Sequence, residues 1–327
     1  MPTDFRPFLN WIVSDFEPLV RVAPQAGSYA RIRTETFTHL YGVADMACVL
    51  YTINALRPNA AEHSQWRKSL QALQNPDTGY FVAAPKDHGL LHNTAFALGA
   101  MDLLSVDPLF ALAFADSYKT KSQLTAHLVG LDWRCNVYRD SHDGAGIAAA
   151  FTLVPGTVDP QWFDWYFEIL EPLFDRNNGM LGVDKPGSGD FDQIGGTFHY
   201  AFVYAAHHRR MPYGEARIDA VLGLQHPEGA WHHDNIWWLT LDALYLMTRS
   251  TELSGYRRDD IAKSARRVID FCYERVMDPA FRLDPRTTPH ILTAVTAILA
   301  ETQKFLGPAE VVTGYPLRPI LDRRPFI

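Results

Sequence analysis

The chain has 327 residues, 47% hydrophobic and 20% charged, and 30 Lys+Arg against 37 Asp+Glu give a net charge of −7. This composition excludes a disordered chain, and the acidic balance argues against a nucleic-acid partner, which needs a basic face for phosphates. No apolar run reaches the roughly 20 residues of a membrane span, and the acidic opening MPTDFRPFLNWIVSDFEPLV lacks the basic-then-apolar order of a signal peptide.

One unit recurs along the chain: an amphipathic stretch, a Gly-containing turn, a short polar loop, then a more apolar stretch rich in small residues. A weak copy ends in RTETFTHLYGVADMACVLYTINAL. The clearest copy runs from Trp66 to Leu104, and another weak one ends in DSHDGAGIAAAFTLV. Further copies run from Trp162 to His208 and from Tyr213 to Arg249, and the last ends in RTTPHILTAVTAILAETQKFL. The apolar stretches start near Thr36, His92, Asp143, Gly196, Ile236 and Pro289, at steps of 56, 51, 53, 40 and 53 residues. Such steps fit two helices and their loops per unit. The first member, as in the stretch from Arg217, spaces its polar residues at helical period and reads as an outer helix with one wet face. The second member, as in TAFALGAMDLL, is apolar all round and reads as buried. No βαβ pattern occurs.

The expected fold is therefore all-α, an (α/α)6 toroid of six inner and six outer helices, forming one domain over residues 1–313. An open solenoid would need polar end caps, and both ends, PheLeuAsnTrpIleVal and IleLeuThrAlaValThr, are apolar. The Pro-rich tail GYPLRPILDRRPFI, residues 314–327, has no helical period and reads as non-helical surface chain. Three widely spaced cysteines, Cys48, Cys135 and Cys272, make neither a disulfide framework nor a CxxC pair, so a cytoplasmic location is expected.

In such a ring the inner helices run the same way, and their N-termini converge at one end that favours negative charge. The segments preceding them are where chemistry is sought. In order they supply Arg31, Arg33, Glu35 and His39; His88, His92 and Asn93; Trp133, Arg134, Asp140, His142 and Asp143; Asp190, Asp192, Gln193, His199 and Tyr200; Trp231, His232, His233, Asp234, Asn235, Trp237 and Trp238; and Arg286 and His290. His and carboxylates suit acid/base catalysis, and a planar indole suits a sugar face or an isoprenoid chain. Glu35, His92, His142, Asp143, His199, Tyr200 and Asp234 are the catalytic candidates. Arg33, Asn93, Trp133, Arg134, Trp231, Trp237 and Trp238 are the candidates for binding substrate. The plain alternatives are N-caps for Asp140, Asp143, Asp190 and Asp234, and helix wedges for the tryptophans. The pairs His207-His208 and Arg209-Arg210 fall at the far end of an inner helix, where they complement its dipole.

Gln225-His226-Pro227-Glu228-Gly229-Ala230-Trp231 resembles the Gln/Trp repeat of squalene–hopene-type cyclases and prenyltransferase β-subunits, and Gln74 to Phe81 is a looser copy. Asp184 to Gly187, then Asp190-Phe191 and Phe198-His199-Tyr200, is similar to the zinc-histidine segment of the prenyltransferases. The resemblance implies the α/α toroid. It also implies a zinc site, which that family builds from Asp-x-Cys and the His; the matching place here reads Asp140-Ser141-His142. No cofactor is favoured, and zinc on Asp140, His142 and His199 is the alternative. The acid motif Asp-x-Asp-Asp of the cyclases is absent, with Asp190-Phe191-Asp192-Gln193 a partial echo, and no residues remain for their second helical domain.

Among functions, a polar and aromatic rim points first to a carbohydrate-active enzyme taking a small-molecule or oligosaccharide substrate. A glycoside hydrolase would pair carboxylates from Glu35, Asp143 and Asp234. A lyase would use His92, Asn93, His142, His199, Tyr200 and Arg134. The alternatives are an isoprenoid diphosphate transferase or terpenoid cyclase-like enzyme, which follows the motif resemblance, and a non-catalytic binding or scaffold toroid.

Overall fold

The computed structural model describes residues 2–83, 88–182, 189–234 and 236–323. The order is β1 (Thr3–Asp4), α1 (Arg6–Trp11), a π-turn (Ile12–Phe16), α2 (Glu17–Val20), α3 (Leu40–Thr52), α4 (Ala60–Gln71), α5 (Leu90–Leu103), α6 (Lys121–Val129), α7 (Val137–Leu153), α8 (Gln161–Leu170), α9 (Gly189–Ala206), α10 (Gly214–Gly223), α11 (Ile236–Ser254), α12 (Arg258–Met277), α13 (Pro279–Leu283), α14 (Pro289–Leu306) and β2 (Val311–Val312). The described residues are all-α apart from the short parallel pair β1–β2.

Two kinds of helix alternate, as the repeat predicts. Along α8 only Trp162, Tyr166, Phe167 and Leu170 are buried, one stripe at helical spacing. Along α3 every residue except Tyr51 is buried. The starts of the apolar helices differ from the expected ones at four of six places. Ile236 and Pro289 are as expected, but α3, α5, α7 and α9 begin at Leu40, Leu90, Val137 and Gly189. Asp140, His142 and Asp143, expected to precede or open an apolar helix, are part of it. They lie on the first two turns of α7, where helix is compatible with a polar side chain as long as that side chain finds a partner. Local signals fix other starts: Asn59 and Glu62 form a capping box on α4, as do Thr120 and Gln123 on α6. Thr288 caps α14, with Pro289 at its first position.

The chain divides into two compact units, one formed by residues 1–72 and 224–320, the other by 73–223 and 321–327. In the first, α14 packs between α3 and α11. Trp238 meets His290 and Arg249 meets Glu301, both 52 residues apart, so α11 and α14 run parallel. β1 joins β2 just after α14, which ties the start of the chain to its end. In the second unit α7 packs between α5 and α9, and Val137 against Gly196 and Thr152 against His207 show α7 and α9 to be parallel. The tail buries Leu317, Ile320 and Leu321, with one 3-10 turn at Ile320–Asp322.

The repeated turns are structural clamps. Gln74 donates to the carbonyls of Gly79 (3.1 Å) and Phe110 (2.8 Å) and accepts from the Phe110 N–H (2.8 Å). Gln225 donates to the carbonyl of Gly229 (2.9 Å). In the copy at Asp175–Gly179 no Gln is present, and the fully buried Arg217 donates to the Gly179 carbonyl instead (2.9 Å). All three glycines have positive φ, and a Cβ at any of them would lie 2.3–2.5 Å from a backbone oxygen of a neighbouring segment. Only glycine meets both demands.

Candidate functional site

In the second unit three neighbouring helices aim histidines at one point. His92 on α5, His142 on α7 and His199 on α9 are 3–5% exposed. Each offers a ring nitrogen, and these atoms all lie within 4.8 Å of one another. The half-buried His88 stacks on His92 (4.6 Å between centroids) and meets His142 edge-on (4.8 Å). Burial drives the His199 pKa down to about 3, with the charge of His88 adding to the effect. Tyr138 packs against His142 and His199 at 5.0 and 5.4 Å. Ser141 donates its hydroxyl to the Tyr138 carbonyl and lies 2.7 Å from His199 Nδ1.

The other candidates of this unit surround that cluster or stand apart. Asn93 is buried on the first turn of α5. Asp140 is two residues from His142, which on a helix turns it to another face, and it accepts the Asp132 N–H at 2.6 Å. The ligand set of Asp140, His142 and His199 is therefore not brought together; His92 stands where Asp140 was expected. Burial and the charge of Asp140 raise the Asp143 pKa. Tyr200 is fully buried 5.7 Å from Trp133, and its hydroxyl sits over Gly144, where a Cβ would come within 2.1 Å. Trp133 donates to the Leu128 carbonyl (2.8 Å), while Arg134 is exposed. Gln193 accepts from Asn178 (3.0 Å). Asp184 to Gly187, Asn235 and the side chain of Asp190 lie outside the described residues.

In the first unit a cavity of about 570 Å³ is lined by Arg31, Arg33, Glu35, Arg286, Thr288 and His290, with Ile32, Thr34 and Pro285. His290 Nδ1 lies 3.2 Å from both carboxylate oxygens of Asp45, a fully buried residue of α3. Thr293 donates to Asp45 Oδ1 at 2.8 Å. The carboxylate accepts, so Nδ1 carries the proton. Trp238 packs on the His290 ring at 4.4 Å, and Tyr41 meets it edge-on at 5.6 Å. Glu35 accepts the Arg31 N–H (2.8 Å), and Arg33 donates to the Arg282 carbonyl (2.9 Å) with its guanidinium over Phe16. Burial lowers the Arg33 pKa, without approaching neutrality for a guanidinium. Trp237 is a wedge against Phe271 and Phe281, and Trp231 is buried in the Gln225 turn. Asp234 is exposed beyond it. A second titratable group, His226, Glu228 and His233, is largely exposed.

Sequence reasoning missed Asp45, Thr293, Tyr138, Ser141 and Asp242. The signal for two of them was present. Asp45 is the one charge on α3, and Asp242 the one charge on the first three turns of α11. A charge inside an otherwise apolar helix is retained only with a partner or with a lost proton. Asp242 is the second kind: 2% exposed, with no hydrogen bond to Oδ1 among the described residues, its pKa pushed well above the carboxylate range by burial.

No protein-family description matches the sequence, and no curated protein matches it. Among solved structures the chain is similar to a type II terpene cyclase from Scytonema, solved in complex with its product merosterolic acid A. The likeness has a TM-score of 0.53 at 13% identity and covers 92% of this chain and 99% of that one. It bears out the all-α, α/α-toroid fold expected from the repeats. It overturns the carbohydrate-active expectation, since the neighbour is a terpene cyclase and not a glycoside hydrolase or lyase; the oligosaccharide substrate falls with it. The physical reason is that a rim both polar and aromatic serves a sugar and an isoprenoid alike. No described helix is long and apolar enough to cross a membrane.

Proposed function

We propose that this chain is a terpene-cyclase-like enzyme that folds an anionic isoprenoid and starts its cyclisation by proton transfer. The observation that carries the reading is the buried Asp45 paired with His290, which lines an arginine-rich cavity, in a chain with a terpene cyclase's fold. A cavity of this size is in the range that holds a small organic ligand. Arg31, Arg33 and Arg286 anchor the diphosphate or carboxylate end of the substrate, their charge only partly offset by Glu35 and by Asp284, which is bound to Arg286 at 2.8 Å.

His290 is the proton-exchanging group. Asp45 fixes its tautomer and stabilises the imidazolium, and Thr293 holds Asp45 in turn. The proton adds to a terminal double bond and leaves a carbocation. Neighbouring π electrons close the ring, and loss of a proton from an adjacent carbon ends the step with atoms balanced. Trp238 and Tyr41 pack against His290 and hold its ring in place.

The test is turnover of acyclic prenyl diphosphates and prenylated carboxylic acids by wild type, Asp45→Asn and His290→Ala. Loss of about 10²–10⁴-fold in kcat in both variants, with unchanged helical CD, is the expected result. Saturable binding with no product from wild type would instead make the chain an isoprenoid-binding protein, and no binding would end the reading.

A further inference from the structure

We propose that His92, His142 and His199 bind one divalent transition-metal ion, zinc being the ion their all-imidazole set fits best. The inference is independent of the cyclase reading. Three imidazoles are drawn from three adjacent helices, at positions 50 and 57 residues apart in the chain, and meet in the buried interior. Ring nitrogens brought this close from three separate helices surround one point that a single cation can occupy.

The geometry is close to what coordination needs. Zinc–nitrogen bonds of 2.0–2.1 Å place tetrahedral ligands about 3.3–3.4 Å apart. From nitrogens no more than 4.8 Å apart, closure asks each to move by about 0.8 Å, which small side-chain rotations supply. Three neutral nitrogen donors without thiolate or carboxylate suit zinc over calcium or magnesium.

The surroundings set the donor atom. Ser141 spends its single proton on the Tyr138 carbonyl, so its oxygen accepts from His199 Nδ1–H. His199 would then ligate through Nε2, its ring oriented from behind by this hydrogen bond, as outer hydrogen bonds orient metal-bound histidines. Asp140 is turned away to the Asp132 amide, so it leaves the ion's charge uncompensated. His88, stacked on His92 and half-buried, is a further imidazole beside the cluster.

The experiment is titration of metal-depleted, full-length protein with Co²⁺, read by the visible d–d absorption of four-coordinate cobalt, followed by displacement with Zn²⁺. One equivalent is expected, displaced stoichiometrically by zinc. His142→Ala and His199→Ala should abolish the signal. Ser141→Ala, which removes no ligand and is the safer variant for folding, should weaken binding about 10–100-fold. His226→Ala, in the exposed second cluster, should leave it unchanged. Absence of uptake by folded wild type, uptake unaltered in His142→Ala with native CD, or loss of uptake in His226→Ala would each overturn the assignment.

Discussion

Asp242 turns its burial into a pH dependence that can be measured. Its Oδ1 has no hydrogen-bond partner among the described residues. Burial alone holds its carboxyl protonated well above the model value of 3.8. The unfolded chain ionises near 3.8 while the folded chain keeps its proton, so the folded state binds one more proton in between. Stability from this group is unpenalised below about 3.8 and falls as pH rises, by about 1.4 kcal/mol per unit, until the folded pKa is reached. Asp242→Asn has the same shape and no titration, so it removes this slope. For a chain of this length the slope corresponds to about 2 °C of melting temperature per pH unit. Calorimetric melting of wild type and Asp242→Asn at steps from pH 4 upward should show curves that diverge with rising pH until the folded pKa is passed, the variant gaining. Groups shared by the two proteins cancel in the difference. Parallel curves would refute the claim that Asp242 is buried in its neutral form.

Gly144→Ala should cost about 1–3 kcal/mol by overpacking, because its methyl would sit 2.1 Å from the Tyr200 hydroxyl; Tyr200→Phe in the same chain should recover part of that loss in urea melts. Gly229→Ala should destabilise much more than Gly156→Ala. Both glycines have positive φ, but only Gly229 faces a backbone oxygen, that of Arg267 at 2.5 Å, while Gly156 has nothing within 4 Å. Equal melting points for the two would dismiss the clamp account of the repeated turns.

The all-α fold was legible because its evidence is periodic and redundant. Apolar helices recur at near-constant steps, and the turns repeat Gly at the positions where the backbone needs positive φ. The helix starts were less legible. Asp140, His142 and Asp143 look like loop residues when polarity is the guide, and only the packing of α7 against α5 and α9 shows them to be helical. Of the site, His92, His142 and His199 were legible as candidates from residue type and place in the repeat. Their convergence was not, since it depends on rotations of three helices that no local pattern encodes. Arg217 was hidden for a related reason: it takes the place of a Gln from another segment, a substitution visible only once the two are in contact. The choice of chemistry was least legible, because rim composition records polarity and leaves out which groups share a proton. The Asp45–His290 contact joins residues 245 apart.

The central claim is that cyclisation begins with a proton from the Asp45–His290 pair. Product analysis by mass spectrometry after incubation of an acyclic isoprenoid in D₂O tests it most directly. The account predicts a cyclic product carrying one carbon-bound deuterium from solvent, formed by wild type and lost in His290→Ala. A cyclic product without deuterium, or labelled product formed equally well by His290→Ala, would contradict it.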